Sequence, residues 1–470
     1  MSIGAILQIT SYSVAQMIVG RIIAGIGNGI NTATAPAWQA ETSKAAWRGK
    51  LIVVELILNI AGFSLSNWVT FGFSYVPSPV SWRIPLAFQF IFIVILYATV
   101  PWLPESPRWL VSRDRHEEAE LILADIEGTE VEDPYVQTEF QEIKWAADYE
   151  KTHQVRIRDL IRGKQGSEGG NCSLRRILLG MGSQAMQQLS GINVTSYYLP
   201  TVLIESVHLS NKTARLLAAC NSVSYLLFSL IGIPNVERWG RRKMLMYAAA
   251  GQGFCYLIIT ILIRYSELYG PTTEKGTKIA SASVAFFFLY YVFFGIGFQG
   301  VPWLYPAEIN SLAMRQKGTA LGTATKWIFN LQVYIPFDMV VEITQIGIQN
   351  LQWKFYIIWT ILNLSFVPIV FFLYVETAGR TLEDIDTYFR EHHNVIVFRD
   401  ELATSSKRPE EYIRKEEQEI RRKSSVNPRA MSLATGHRRY SLMSAEQDLG
   451  TTGIQQYEKD GESWQRKEEL

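Results

Sequence analysis

The chain has 470 residues, 48% hydrophobic and 12% aromatic, with a formal net charge of +1. Its mean hydropathy of +0.05 resembles a soluble protein only because apolar and very polar stretches average out. Three scattered cysteines (Cys172, Cys220 and Cys255) exclude a disulfide framework, and no Walker motif, zinc spacing or nucleophile elbow points to an ATPase, a metal site or a hydrolase.

In chain order, the first dozen residues are apolar but too short to span a bilayer, and they lack the basic flank and cleavage site of a signal peptide. Runs at 14–40 and 51–78 each carry one charge, and 84–104 carries none. The segment 105–176 is charged and helix-prone around 115–126, and reads as a cytoplasmic linker with short helices. Further apolar runs follow at 177–204, 216–236, 244–263, 279–307 and 353–375, with a less clean one at 317–346. Each is long enough to cross a hydrocarbon core of roughly 30 Å as a helix. The fold class expected is an all-α membrane protein.

Basic residues fall in alternate connections. Lys44, Arg48 and Lys50, then 105–176, then Arg238, Arg241, Arg242 and Lys243, then Arg315 and Lys317, and finally the tail after 376 all lie on one side. The positive-inside rule makes that side cytoplasmic, although three basic residues in 264–280 weaken the bias. The loop around Asn211 is then outside, which makes Asn211-Lys-Thr the usable N-glycosylation sequon. The charged, Ser-rich tail predicts disorder after about 395. Within it, Arg421-Arg422-Lys423-Ser424 and Arg438-Arg439-Tyr440-Ser441 have the pattern of basophilic kinase sites. Nothing in the charge distribution points to a nucleic-acid partner.

Two stretches repeat. Pro36-Ala-Trp-Gln-Ala-Glu41 leads to Arg48, and Pro302-Trp-Leu-Tyr-Pro-Ala-Glu308 leads to Arg315, both with Glu and Arg 7 positions apart. Glu105-Ser106 and Glu376-Thr377 each close a later apolar run, 271 positions apart, against 267 for Glu41 and Glu308. A near-constant offset indicates duplication of a multi-helix unit, as in transporters with parallel repeats. The boundaries expected are an N-terminal bundle at 1–104, a linker at 105–176, a second bundle at 177–376 and a tail at 377–470. Applied to the start of the second bundle, the offset places the first bundle's start roughly 90 residues before Met1. By that reckoning 1–104 holds part of a third helix and helices four to six. The chain as given is expected not to transport.

These motifs resemble the sugar porter family of the major facilitator superfamily, and in particular its fungal hexose transporters. Gly20-Arg21-x3-Gly25-x-Gly27 with Pro36-x4-Glu41-x6-Arg48-Gly49 is similar to the family's helix four and following loop. Pro104-Glu-Ser-Pro-Arg-Trp-Leu110 resembles the end of helix six, and Gln187-Gln-Leu-Ser-Gly-Ile-Asn193 with Tyr197-Tyr198 the sugar motif of helix seven. Glu237-Arg-Trp-Gly-Arg-Arg242 is similar to the loop after helix eight, and Pro302-Trp303 with Glu308 and Arg315 to helix ten. Residues 177–376 correspond to helices seven to twelve. The departures are Leu56, with Glu55 beside it, Lys326, Tyr225 and Val375 at positions where the family has glutamine, asparagine, asparagine and proline.

The resemblance implies transport of a hexose or related carbohydrate by alternating access, facilitative or as a carbohydrate:proton symporter, with no enzymatic activity and no cofactor. A transporter-like sugar sensor and a transport-inactive fragment are the alternatives. A sugar presents hydroxyls around a partly apolar ring, so neutral amides and aromatic faces suit it. The substrate-binding candidates are Gln187, Gln188, Asn193, Tyr198, Trp303, Trp327 and Asn330. On an unbroken helix Gln184, Gln187, Gln188 and Tyr198 share a face and Asn193 points nearly opposite, so Asn193 joins them only if the helix opens at Ser190-Gly191. Gln184 is expected to hold helices together and Tyr197 to pack. Glu41, Arg48, Glu237, Arg241, Arg242, Glu308 and Arg315 are expected to form gating ion pairs, and Arg21, a charge within an apolar helix, is the candidate for proton coupling. The partners implied are a sugar, the lipid bilayer and, for the symporter, protons, and the setting a plasma membrane.

Overall fold

The computed structural model describes residues 1–153, 172–270, 273–332 and 351–414, with the side chains of Arg48, Glu237 and some helix neighbours excepted. Among the described residues every regular element is helical. The chain divides into two compact units, 1–407 and 408–470. In the second, the described part is a helical turn carrying an Arg414–Glu410 ion pair of 3.0 Å.

The first apolar runs become α1 (Ser2–Ile9), α2 (Val14–Glu41), α3 (Ala45–Phe73), α4 (Val80–Ala87) and α5 (Gln89–Thr99). The Ser13 hydroxyl starts α2 by accepting from Gln16 N at 3.2 Å. Gly4 lets α1 lie directly on α2, since a Cβ there would run into the backbone of Ala24. In the linker, α6 (Pro107–Ser112), α7 (His116–Glu127) and α8 (Pro134–His153) enclose a small core of their own from Leu110, Val111, Leu123 and Phe140. The linker is thus a packed helical element rather than a bare strap.

The second half contains α9 (Ser173–Gln187), a π-helical turn over Gln188–Ile192, α10 (Asn193–Tyr197), α11 (Leu199–Glu205), α12 (Asn211–Trp239) and α13 (Arg241–Tyr269). It continues with α14 (Glu274–Phe293), a second π-turn at Phe294–Phe298, α15 (Val301–Ile309), α16 (Arg315–Gln332) and α17 (Trp353–Leu373). Fully buried Tyr256, Phe287, Tyr290, Tyr305 and Tyr356 fill its core. The halves touch where α3 meets α12: the Ser222 hydroxyl donates to Ser64 Oγ at 3.2 Å, and the Phe63 and Tyr225 rings stand edge to face at 6.1 Å.

Among the described residues, six helical runs are long and apolar enough to cross a membrane: Val54–Phe73, Val80–Trp102, Asn211–Gly232, Arg241–Tyr269, Glu274–Ile309 and Trp353–Leu373. The helices at 14–41, 173–205 and 315–332 fall outside that set. They hold Arg21, the helix-seven amides, and Lys326 with Asn330.

The tail differs from the expectation of disorder after 395. Beyond α18 (Leu382–Glu391), Val397 N donates to Phe372 O and Glu376 N to Ala403 O, both at 2.8 Å. Val397 and Ala403 are buried in the main core. Within the apolar sequence Val395-Ile-Val-Phe398, buried Val397 and the Phe398 ring against Phe371 and Phe372 anchor this stretch. The two kinase-type motifs at 421–424 and 438–441, and the sequon at Asn171, lie outside the described residues.

Candidate substrate site and charged-motif cluster

Helix seven is broken where the sequence allowed it. Gly191 has φ +91°, a conformation costly for any residue with a Cβ, and the π-turn around it widens the spiral. In a π-turn, residues five apart lie above one another. Asn193 thereby swings onto the face of Gln188, and its Nδ2 donates to Gln188 Oε1 at 3.1 Å.

The carbonyls freed by the break find side-chain donors. Ser190 O accepts from Asn363 Nδ2 at 2.8 Å and from the Tyr290 hydroxyl at 3.2 Å, and Gly191 O from the Tyr256 hydroxyl at 2.9 Å. An unpaired peptide group in hydrocarbon costs several kcal/mol, roughly 2–7, so these three residues are what keep the break open. None of them was a sequence candidate. A tyrosine or asparagine inside an apolar run is a weak signal until the orphaned carbonyl opposite it is known.

From α16, Asn330 completes the cluster. Its Nδ2 donates to Gln188 Oε1 at 3.1 Å and to Asn193 Oδ1 at 3.0 Å. Gln188 Nε2 donates weakly to Gln187 Oε1 at 3.4 Å, while Gln187 Nε2 donates to Phe298 O at 2.7 Å. Gln187, Gln188, Asn193 and Asn330 therefore form one connected amide network. Gln184 stands one turn earlier, its Nε2 donating to Pro302 O at 2.7 Å, and this matches its expected part in joining helices. Among the described residues no donor reaches its buried Oε1.

The two tryptophans are linked through a residue that departs from the family pattern. Lys326 Nζ lies 3.7 Å from the Trp303 ring centroid and 5.6 Å from that of Trp327. Tyr198 sits half-buried at the α10–α11 junction, beyond the break. Tyr197, expected to pack, is 54% exposed. Tyr225 donates its hydroxyl to Gln299, a buried amide beside the second π-turn that the sequence reading did not single out. Arg21 is exposed on α2, and among the described residues no carboxylate pairs with it.

At the opposite end of the helices, Glu308 receives Arg241 through both Nη2, at 2.6 Å, and Nε, at 3.1 Å. It also accepts from Thr377 Oγ1 at 2.7 Å. Glu41 accepts from the Ser106 hydroxyl. Ser106 follows Glu105 as Thr377 follows Glu376, so the repeated motifs meet through the same type of hydrogen bond in both halves. Glu376 is fully buried, and its two oxygens take the backbone N–H groups of Arg241 at 2.8 Å, Arg242 at 3.1 Å, and Thr377 and Ala378 at 3.1 Å.

The expectation for Arg242 needs correction. Its guanidinium donates to the carbonyl of Phe371 and lies over that ring, because Glu376 is already saturated by backbone donors. Arg176, not foreseen, pairs with Asp386 and donates to Ile309 O; burial lowers the guanidinium's pKa, and the neighbouring Asp386 opposes that shift. Arg315 opens α16. The side chains of Arg48 and Glu237 lie outside the described residues.

Comparison with known proteins supplies the remaining context. The profile of the family described as "Sugar (and other) transporter" matches residues 1–389. The chain is 54% identical over 434 residues to the MFS-type transporter oryC of Aspergillus oryzae, covering 92% of this chain and 78% of that protein. It is 32% identical to the sugar transporter STL1 of Saccharomyces cerevisiae over 391 residues, 82% of this chain and 65% of that one. Its fold matches the proton:xylose symporter XylE of E. coli, solved with 6-bromo-6-deoxy-D-glucose, with a TM-score of 0.64 at 24% identity over 82% of this chain and 79% of XylE.

Proposed function

This chain belongs to the sugar (and other) transporter family of the major facilitator superfamily, and from that premise we propose that it moves a hexose or related carbohydrate across the plasma membrane by alternating access. It is a multi-pass membrane protein of a family of transporters, not of enzymes. The substrate sits against the Gln188–Asn193–Asn330 network, between the aromatic faces of Trp303 and Trp327, with Gln187 and Tyr198 contributing.

The observation that carries this reading is the amide network itself. Asn330 Nδ2 is shared between Gln188 and Asn193, so the three amides satisfy one another and can exchange those bonds for sugar hydroxyls without stranding a buried group. The Arg241–Glu308–Thr377 and Glu41–Ser106 groups lie at the cytoplasmic ends of the two halves and serve the gate, together with Arg48, Glu237 and Arg315. The tail is cytosolic.

Uptake of radiolabelled hexose tests the reading in cells lacking their own hexose carriers. They would express the chain alone, and also preceded by any coding sequence found upstream in its transcript. Saturable uptake supports the proposal. Loss of uptake with a protonophore would identify proton coupling, for which Arg21 is the candidate, and persistence would identify facilitation. Absence of carbohydrate uptake in both forms, with normal surface expression, would overturn it.

A further inference from the structure

Helix eleven carries a cation in the middle of the proposed site. Gly322, Lys326 and Asn330 succeed one another at one-turn spacing on α16. A Cβ at Gly322 would lie 3.7 Å from Gln184 Cγ, and Asn330 bonds Gln188, so this face of α16 runs along helix seven from Gln184 to Gln188. Lys326 stands between those two levels. Its ammonium rests on Trp303 at 3.7 Å.

Among the described residues no carboxylate pairs with Lys326. Half-buried Glu55 on α3, a carboxylate within another apolar run, forms no described ion pair with it. An ammonium inside a membrane protein is expensive unless something compensates it, and a tryptophan face does so only partly. A neutral sugar offers it nothing that an amide would not. We propose that Lys326 makes this site selective for an anionic carbohydrate, a polyhydroxy acid whose carboxylate meets the ammonium while its hydroxyls take the amides of Gln188, Asn193 and Asn330.

This inference rests on the carbohydrate-transport reading, and one experiment separates the two. The purified full chain is titrated with D-gluconate, D-glucuronate and D-glucose, following quenching of tryptophan fluorescence, since Trp303 and Trp327 flank the ammonium. Parallel titrations use Lys326→Arg, which keeps the charge, and Lys326→Asn, which removes it. The expected result is binding of at least one acid about tenfold or more tighter than glucose, with that acid-to-glucose ratio kept in Lys326→Arg and falling to about one or below in Lys326→Asn. Glucose binding equal to or tighter than that of both acids would overturn the anion preference and leave sugar transport standing. So would an acid-to-glucose ratio unchanged by Lys326→Asn. Binding of none of the three would overturn both readings. Should Lys326→Asn fail to fold, the wild-type acid-to-glucose ratio decides alone.

Discussion

Gln188 is the hub of the polar network, receiving Asn193 and Asn330 on one oxygen while its nitrogen leans on Gln187. Replacing it by alanine leaves two buried amides short of an acceptor as well as removing a ligand contact. A lost buried hydrogen bond costs about 1–3 kcal/mol, so Gln188→Ala should raise the half-saturating sugar concentration roughly 5- to 150-fold. Gln184→Ala loses a bond to the Pro302 carbonyl instead, and should lower thermal stability while changing sugar affinity by about threefold or less. Uptake kinetics and melting curves for the pair check this. Equal kinetics for Gln188→Ala and the parent would remove helix seven from the binding site.

At the scale of the element, the break in helix seven depends on one glycine and three donors. A Cβ on Gly191 would fall 2.5 Å from the Tyr256 hydroxyl, besides forcing a side chain into the left-handed region. Gly128 offers a control at φ +73° with nothing within 4 Å of its added Cβ. Gly128→Ala should therefore cost only the backbone term, about 1–2 kcal/mol. Gly191→Ala should cost more, because Tyr256 must withdraw and leave the Gly191 carbonyl unpaired. Thermal unfolding in detergent compares them, and equal losses would show that Tyr256 does not clamp the break. Asn363→Leu should destabilise for the same reason, since Ser190 O keeps only the Tyr290 bond.

Over the whole molecule, the two halves carry matching charged motifs at one end. Arg241 and Glu308 are largely buried and bidentate, so they should behave as a unit rather than as an exposed pair worth roughly 0–1 kcal/mol. A double-mutant cycle of Arg241→Met and Glu308→Gln should give a coupling of about 0.5–3 kcal/mol in stability, and simple additivity would argue against a shared gate. The orientation of both halves is tested separately. Asn211-Lys-Thr is exposed at the start of α12, with Asn211 Oδ1 accepting from Arg215 at 2.6 Å. A glycan there, abolished by Asn211→Gln, is the expected result; protection of Asn211 with access of external protease to the tail would reverse the topology.

Hydrophobic run length and the spacing of charged motifs are local properties of the chain, and they were sufficient to read the helical class and to align Glu41 with Glu308 and Ser106 with Thr377. Glu41–Ser106 and Glu308–Thr377 show this: an offset visible in the sequence becomes the same hydrogen bond twice. The Ser190-Gly191 break was legible as a possibility, since only glycine accepts such a backbone. Tertiary structure decided whether the break was used, because its cost is met by Tyr256, Tyr290 and Asn363 from three other helices. It also decided that Arg242 spends its guanidinium on a carbonyl and that residues 395–404 fold back onto the core, both outcomes of which partner is nearest in space. Lys326 marks the division most clearly. The sequence placed a lysine where relatives of its pattern have asparagine, but only packing put its ammonium on the face of Trp303, one turn from the sugar-type amides.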